Sequence, residues 1–341
     1  MNMCIFLSEI KFIQITMLKN SPYYILVTLF IFLNISYSFS QGFTVNGKYL
    51  YDARGEKFII RGVNNPHVWL ARKSFRSLNT IADLKANSVR VVWMTKGKPG
   101  QLERVIEKCI RLKMIPMVEL HDVTGKTTRE SLMQMTGYFM RDDVKQVLVR
   151  YEKYLLINIA NEWGDHNMSA EFWRDSYKEA IDSLRKDGYK MTLVIDAPGW
   201  GQNLSPILEY GNDLIAHDTL QNLLFSIHMY GSWNEPVKIR EKLQLASDKN
   251  IPLIVGEFGY NYNQGDNNLK CTVDQQVILE TCARLELGYL PWSWSGNNEA
   301  NAWLDLAESK NWKVLTDWGK SVFEGEYGIT TSGKCSSVFE E

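Results

Sequence analysis

Eight short apolar runs recur along the chain, at residues 58–63, 89–93, 115–120, 155–159, 191–195, 224–227, 252–255 and 289–292. Runs of this length, bounded by turn residues, read as strands buried on both faces. Between most of them the apolar positions switch to the helical period, as in Leu102, Val105, Ile106 and Cys109 and across residues 170–185. Strands alternating with helices predict a parallel sheet. Eight such units over about 280 residues predict a (β/α)8 TIM barrel. A doubly wound open sheet competes, but it carries a Gly-rich phosphate loop after its first strand. This sequence has no such loop. Upstream, Phe43-Thr-Val, a turn at Asn46-Gly47, Lys48-Tyr-Leu-Tyr and a second turn at 52–55 predict a short N-terminal β-hairpin. Such a hairpin is placed to close the barrel bottom. No long linker, low-complexity tract or repeat interrupts residues 41–341, which read as one domain.

Residues 1–40 follow a different pattern. Lys19 precedes an apolar stretch at 23–35, and small residues follow at Ser38 and Ser40. That order predicts a secretion signal peptide cut near Gln41, with Met17 a possible true start. The apolar stretch is shorter than the roughly 20 residues of a spanning helix. The expectation is a secreted protein, extracellular or periplasmic, with no membrane attachment after cleavage. A net charge of −1 gives no electrostatic reason for nucleic acid as a partner. The chain is expected to be a monomer.

Secretion permits disulfides, and Cys109, Cys271, Cys282 and Cys335 follow the signal. Cys109 and Cys282 each share an apolar helical stripe and read as buried thiols. If Thr272 caps the helix that holds Cys282, Cys271 and Cys282 lie roughly 15 Å apart at 1.5 Å per residue. That is too far for a bridge. No paired cysteine spacing suggests zinc.

Chemistry gathers at the C-terminal ends of the predicted strands, where a barrel places its reactive groups. In order these are Asn64, His67 and Trp69; Arg90; Glu119, His121 and Asp122; Asn161 and Glu162; Asp196 and Trp200; His228 and Tyr230; Glu257; Trp292 and Trp294. The opposite ends offer nothing comparable. Glu162 and Glu257 each end an apolar run, three strands apart. A retaining glycosidase needs one carboxylic acid and one carboxylate nucleophile about 5–5.5 Å apart. The acid needs a dry or carboxylate-crowded setting, and the nucleophile needs donors such as Arg90 and Tyr230. Either glutamate alone also suits a surface ion pair, and each Trp also suits core packing. His166 and His217 fall in loops or helices and suggest no role.

Those strand ends make the sequence resemble glycoside hydrolase family 5. Asn161-Glu162 is similar to the family's Asn-Glu after strand 4, where the Glu is acid and base. Glu257 is similar to its strand-7 nucleophile. Arg90, His121, His228, Tyr230 and Trp292 stand where the family has the same residue types. The stretches at 62–69, 119–125, 158–163, 195–202, 225–230 and 292–297 resemble the bacterial β-mannanases of subfamily 8. Two positions depart from that group: Ser295, where a Lys is common, and Leu70, where an aromatic is common.

The resemblance implies a retaining endo-β-1,4-mannanase acting on β-mannan polysaccharide without cofactor or metal. It implies that Asn161 contacts the 2-hydroxyl and that Arg90 and Tyr230 hold Glu257. His228 would orient Glu162 or touch sugar, and Trp292, Trp69 and Trp200 would carry sugar rings. Asn64, His67 and His121 complete the candidate binding set. A metal held by His67, His121 and His228 is the alternative for the histidines, but no His-Glu-x-x-His motif supports it. An endo-β-1,4-glucanase of the same family and a non-catalytic polysaccharide-binding barrel are the rival readings.

Overall fold

The computed structural model describes residues 42–265 and 267–340; the expected signal segment lies outside them. Strands β1 (Thr44–Asn46) and β2 (Tyr49–Tyr51) form the expected hairpin, with Val45 opposite Leu50. Gly47 turns it at φ 59°, a left-handed conformation that glycine adopts without steric cost.

Eight parallel strands follow in ring order: β3 (Gly62–Asn65), β4 (Ser88–Trp93), β5 (Ile115–Leu120), β6 (Leu156–Asn158), β7 (Thr192–Asp196), β8 (Leu223–Met229), β9 (Leu253–Phe258) and β10 (Gly288–Tyr289). A parallel bridge between Arg61 and Tyr289 closes the ring, helped by Asn64 N–H donating to Pro291 O at 3.2 Å. The barrel reading holds.

Helices α1 (Ala71–Asp83), α2 (Pro99–Arg111), α3 (Arg129–Phe139), α4 (Asp142–Arg150), α5 (Ala170–Lys186), α6 (Ser205–His217), α7 (Pro236–Asp248) and α8 (Gln275–Leu285) fill the crossovers. Two short helices, α9 (Asp317–Phe323) and α10 (Ile329–Ser332), follow the last strand. The stripe Leu102, Val105, Ile106 and Cys109 is the buried face of α2.

Three local expectations change. The first apolar run does not enter the ring at residue 58, because Phe58 N–H donates to Leu50 O and joins the hairpin. Phe58 and Ile60 instead pack into the barrel bottom with Phe43, Leu50, Met117, Leu156, Val194 and Leu224. The last run pairs over only two residues, and Pro291 has no N–H to give a ladder. Helix α8 is capped by Asp274, whose carboxylate accepts from Gln276 and Val277, rather than by Thr272. Cys109, Cys271 and Cys282 are buried free thiols, and Cys335 is an exposed one. Among the described residues, no helix is long and apolar enough to cross a membrane.

Candidate active site

A strand turns alternate side chains inward, and this period sorts the barrel interior by height. Met117 and Glu119 on β5, Leu156 and Asn158 on β6, and Val194 and Asp196 on β7 are apolar below and polar above. β8 repeats the order with Leu224, then Ser226 and His228. β9 needs a device to join in. Ile254 faces the lower core, so strict alternation would turn Glu257 outward. The register with β8 slips between Ile227 and His228, pairing His228 with Glu257 and leaving Gly256 as an extra residue. This β-bulge re-aims Glu257 into the barrel. Only glycine fits there: a Cβ on Gly256 would lie 2.1 Å from Ser226 Oγ.

Arg90 ties the floor together, fully buried. Its Nε donates to Asn158 Oδ1 at 2.9 Å, and Nη1 donates to Asn64 Oδ1 at 2.9 Å and Glu257 Oε1 at 2.8 Å. Nη2 donates to Asn161 Oδ1 at 2.7 Å and to Asp196 Oδ2 at 3.3 Å. This planar fork fixes several acceptors in one geometry, as a lysine could not.

Glu162 is not the final strand residue expected from its run. β6 ends at Asn158, and Glu162 sits beyond it at φ 48°. Backbone pairing continues across the gap through Asn161 N–H to Leu120 O at 2.8 Å. Glu162 N–H then donates to Asp196 Oδ2 at 3.1 Å, which anchors this left-handed turn.

Both carboxylates are nearly buried, Glu162 at 9% and Glu257 at 3% exposure. One oxygen of each, with a ring nitrogen of His228, lies within 4.8 Å of the others. His228 Nδ1 is 2.7 Å from Glu162 Oε1, and Tyr230 Oη donates to Glu257 Oε2 at 2.8 Å.

Burial and the charges of Glu257 and Asp196 push Glu162 well above the usual carboxylate range. Burial raises Glu257 as well, but Arg90, His121 and the Tyr230 hydroxyl pull it back. The first proton of the pair therefore belongs on Glu162 and the charge on Glu257. Burial and Arg90 hold His228 neutral. A neutral ring beside protonated Glu162 accepts a hydrogen bond from the carboxyl O–H at Nδ1, which leaves N–H on Nε2, 3.6 Å from Asp196 Oδ2. The triad is compact enough to hold a cation. Arg90, 2.8 Å from Glu257, already supplies a fixed positive charge there and opposes a second one.

At the same rim lies a cavity of about 500 Å³ lined by Pro66, Trp69, Leu70, His121, Trp292 and Asn297 among others. His121 stacks on Trp292 with ring centres 5.5 Å apart, and Trp69 meets its edge at 5.0 Å. Burial lowers the affinity of His121 for a proton, but Glu119 at 3.0 Å outweighs it and raises the pKa. Trp292 Nε1 donates to Asn297 Oδ1 at 3.0 Å. Trp69 is 47% exposed. Trp200, 38% exposed, follows β7 on the opposite arc of the ring, its edge against His166 at 4.6 Å. A Cβ on Gly125 would strike Trp200 Nε1, so that glycine seats the ring.

The structure thus gathers Glu162, Glu257, Arg90, Asn161, His228, Tyr230, His121, Trp292 and Trp69 at one rim, with Trp200 across it. Two candidates do not line the cleft. Asn64 is fully buried, accepts from Arg90 and donates to the carbonyls of Gly256, Leu290 and Pro291. It holds the floor. His67 is 1% exposed, contacts Asn65 Nδ2 at 3.3 Å and lines a cavity outside the cleft. It shares no cluster with His121 and His228.

Trp294 is wholly buried, as core packing predicts. Asn158 and Thr124 escaped sequence reasoning. Asn158 looks like one more residue of an apolar run, and Thr124 Oγ1 takes the Asn161 amide at 2.7 Å from a loop with no periodic signal. Ser295, one of the two departures, is buried and donates to Asp305 Oδ2 at 3.3 Å, while Leu70 lines the cavity.

A closed parallel barrel with two carboxylates at one rim fits a glycoside hydrolase. The model of Cellulase (glycosyl hydrolase family 5) matches residues 51–298, and the chain belongs to that family. The mannan endo-1,4-beta-mannosidase of Salipaludibacillus agaradhaerens is 36% identical over 307 residues, covering 88% of this chain and 96% of that protein. The one from Cellvibrio japonicus is 32% identical over 89% of this chain and 70% of its own length. The mannohexaose complex of Thermomonospora fusca beta-mannanase superposes with a TM-score of 0.79 at 35% identity, covering 87% of this chain and 99% of that one. A Thermobifida fusca endoglucanase, at 17% identity and a TM-score of 0.66, shares the fold.

Proposed function

We propose that this protein is a retaining endo-β-1,4-mannanase that cleaves internal bonds of mannan, glucomannan or galactomannan. The observation that carries the reading is the gap between Glu162 and Glu257, whose nearest oxygens lie within 4.8 Å. Retention uses carboxyl groups about 5–5.5 Å apart, whereas inversion needs about 6.5–9.5 Å to admit a water. Ionised Glu257 attacks the anomeric carbon while protonated Glu162 gives its proton to the leaving oxygen. The first bond breaks and a glycosyl ester forms on Glu257. Glu162, now ionised, takes a proton from water, which displaces Glu257 and regenerates both groups.

Arg90 and Tyr230 keep Glu257 charged and aimed. Asn161 is placed to meet the 2-hydroxyl at the reaction centre once its amide leaves Thr124. Trp292, Trp69 and Trp200 offer flat faces for sugars along the cleft. Mannan as substrate is supported by the relatives, which bear mannanase names at 32–36% identity. Export belongs to the same reading, since a polysaccharide too large to enter a cell must be met outside it, and residues 1–40 carry a signal-like pattern.

Initial rates on galactomannan and carboxymethylcellulose test the substrate. Faster attack on the cellulose derivative replaces mannanase with glucanase. Proton NMR of the first reducing ends tests the stereochemistry: the β-anomer appears first under retention, and the α-anomer first overturns double displacement.

A further inference from the structure

Helix α1 borders two hollows outside the catalytic cleft. One, of about 390 Å³, is lined by Phe75, Arg72, Arg76 and Arg104, with His67 and Trp93 behind. The other, of about 240 Å³, is lined by Lys73, Arg76, Lys310, Lys313 and Trp312. Arg76 lines both, so the two hollows are neighbours, and neither is lined by an acidic side chain. Among the described residues, none of these six cations has a carboxylate partner. Elsewhere on the surface some cations, such as Arg129, Arg141, Arg150 and Lys178, are paired with acids, and among the described residues the unpaired ones are not gathered around a ring-lined hollow in this way. The chain as a whole carries −1, so this is a local excess.

Two flat rings accompany the charges. Lys73 Nζ lies 5.4 Å from the centre of the half-buried Trp312 ring, and Trp312 Nε1 is buried without a partner. Phe75 is half-buried in the first hollow. Rings suit the apolar faces of sugars, and guanidinium forks suit carboxylates and other oxyanions. The second hollow also adjoins the cleft. Gly296, a cleft residue, sits so close that a Cβ would lie 3.0 Å from the Trp312 ring and 2.2 Å from Leu70.

We propose that α1 and the 310–313 loop form a secondary docking groove for acidic polysaccharide, whose anionic groups bind the unpaired cations while its rings pack on Trp312 and Phe75. It lets the protein hold an anionic wall polymer beside the neutral chain in its cleft. Nucleic acid is the other common polyanion. It is disfavoured because the cations occupy two ring-sized hollows next to a sugar cleft rather than a long stripe following a phosphate backbone.

Calorimetry on the full protein at low salt tests this with polygalacturonate fragments, dextran sulfate, neutral mannan fragments and oligo-thymidylate. Acidic polysaccharide should bind. The uronate and sulfate arms decide which anion, and either supports the groove. Arg72→Ala with Arg76→Ala should weaken binding by about tenfold or more, since each removes a charge-assisted hydrogen bond. Galactomannan hydrolysis by that variant should stay within about twofold, as surface changes remote from a site usually permit, and this doubles as a folding control. Lys310→Ala, on a separate segment, should weaken binding in the same direction. No binding to either acidic polymer, undiminished binding in the double variant, or tighter binding of oligo-thymidylate overturns the proposal. The readout is binding, so it stands or falls apart from the mannan reading.

Discussion

The lower and upper halves of the barrel interior are built by the same strands, two residues apart, with opposite materials. Below lie Met117, Leu156, Val194, Leu224 and Ile254, all at most 3% exposed. Each such side chain contributes about 1.5–3 kcal/mol by leaving water. Above lie Arg90 and the carboxylates of Glu119, Asp196, Glu257 and Glu162. Burying charge is costly, and apolar replacements of buried ion networks are often neutral or stabilising by about 1–4 kcal/mol. The upper half is therefore poorly explained as a device for stability. It is held in place by the lower half and the helix ring, and its arrangement has value only for chemistry. Stability and reactivity are divided by height along each strand.

The largest effect expected from this division is on turnover. Glu257→Ala should lower kcat on galactomannan by roughly 10⁴-fold or more, the scale seen when a nucleophile is removed. Its melting temperature should hold or rise, because several buried carboxylates crowd the guanidinium of Arg90 and one of them is gone. A large fall in melting temperature would mean that the upper half also carries the fold. Leu156→Ala is the mirror experiment. It should cost about 2–5 kcal/mol in denaturant unfolding, as core truncations do. Its kcat, corrected for folded fraction, should stay near wild type. A collapse of kcat at intact stability would break the separation.

The division by height was legible in the sequence in outline. Apolar runs recur at barrel spacing, and Arg90, Glu119, Asp196 and His228 stand where period-two alternation turns them inward. Resemblance to a family supplied the roles. What resisted was whatever depends on contacts between distant strands. Asn158 holds Arg90 from a position that reads as mere strand. His67 looked like its neighbours at the rim, yet packing draws it into a cavity between α1 and α2. Glu257 would face outward by strict alternation, and only the slip against β8 shows why it does not.

That slip gives a third test at the join between the halves. Gly256→Ala places a methyl within contact of Ser226 and His228. It should lower kcat by about 10²-fold through misplacement of Glu257 on the order of 1 Å. KM should change less, because the aromatic platforms stand on other strands. A crystal structure of the variant with Glu257 unmoved and activity intact would show that the bulge is not what aims the nucleophile.

The smallest effect is the most discriminating, because it asks whether the upper half acts as one electrostatic unit. Activity should be bell-shaped in pH. The acid limb falls as Glu257 takes a proton, and the alkaline limb falls as Glu162 loses one. The Asp196 charge raises both pKa values, and it ranks higher among the causes for Glu162 than for Glu257. Asp196→Asn removes the charge and keeps the shape. Both limbs should therefore move to lower pH, the alkaline limb further, and the bell should narrow. Stability carries the same sign. A carboxyl whose folded pKa is raised stabilises fully at low pH and loses that contribution as pH rises through the raised value. Lowering the Glu162 pKa should then soften the alkaline decline in melting temperature. An alkaline limb that stays put in Asp196→Asn, measured as kcat/KM on a soluble mannooligosaccharide, would mean that Glu162 owes its proton to burial and the Glu257 charge, without Asp196. Asp196 would then be a neighbour rather than a member of a coupled set.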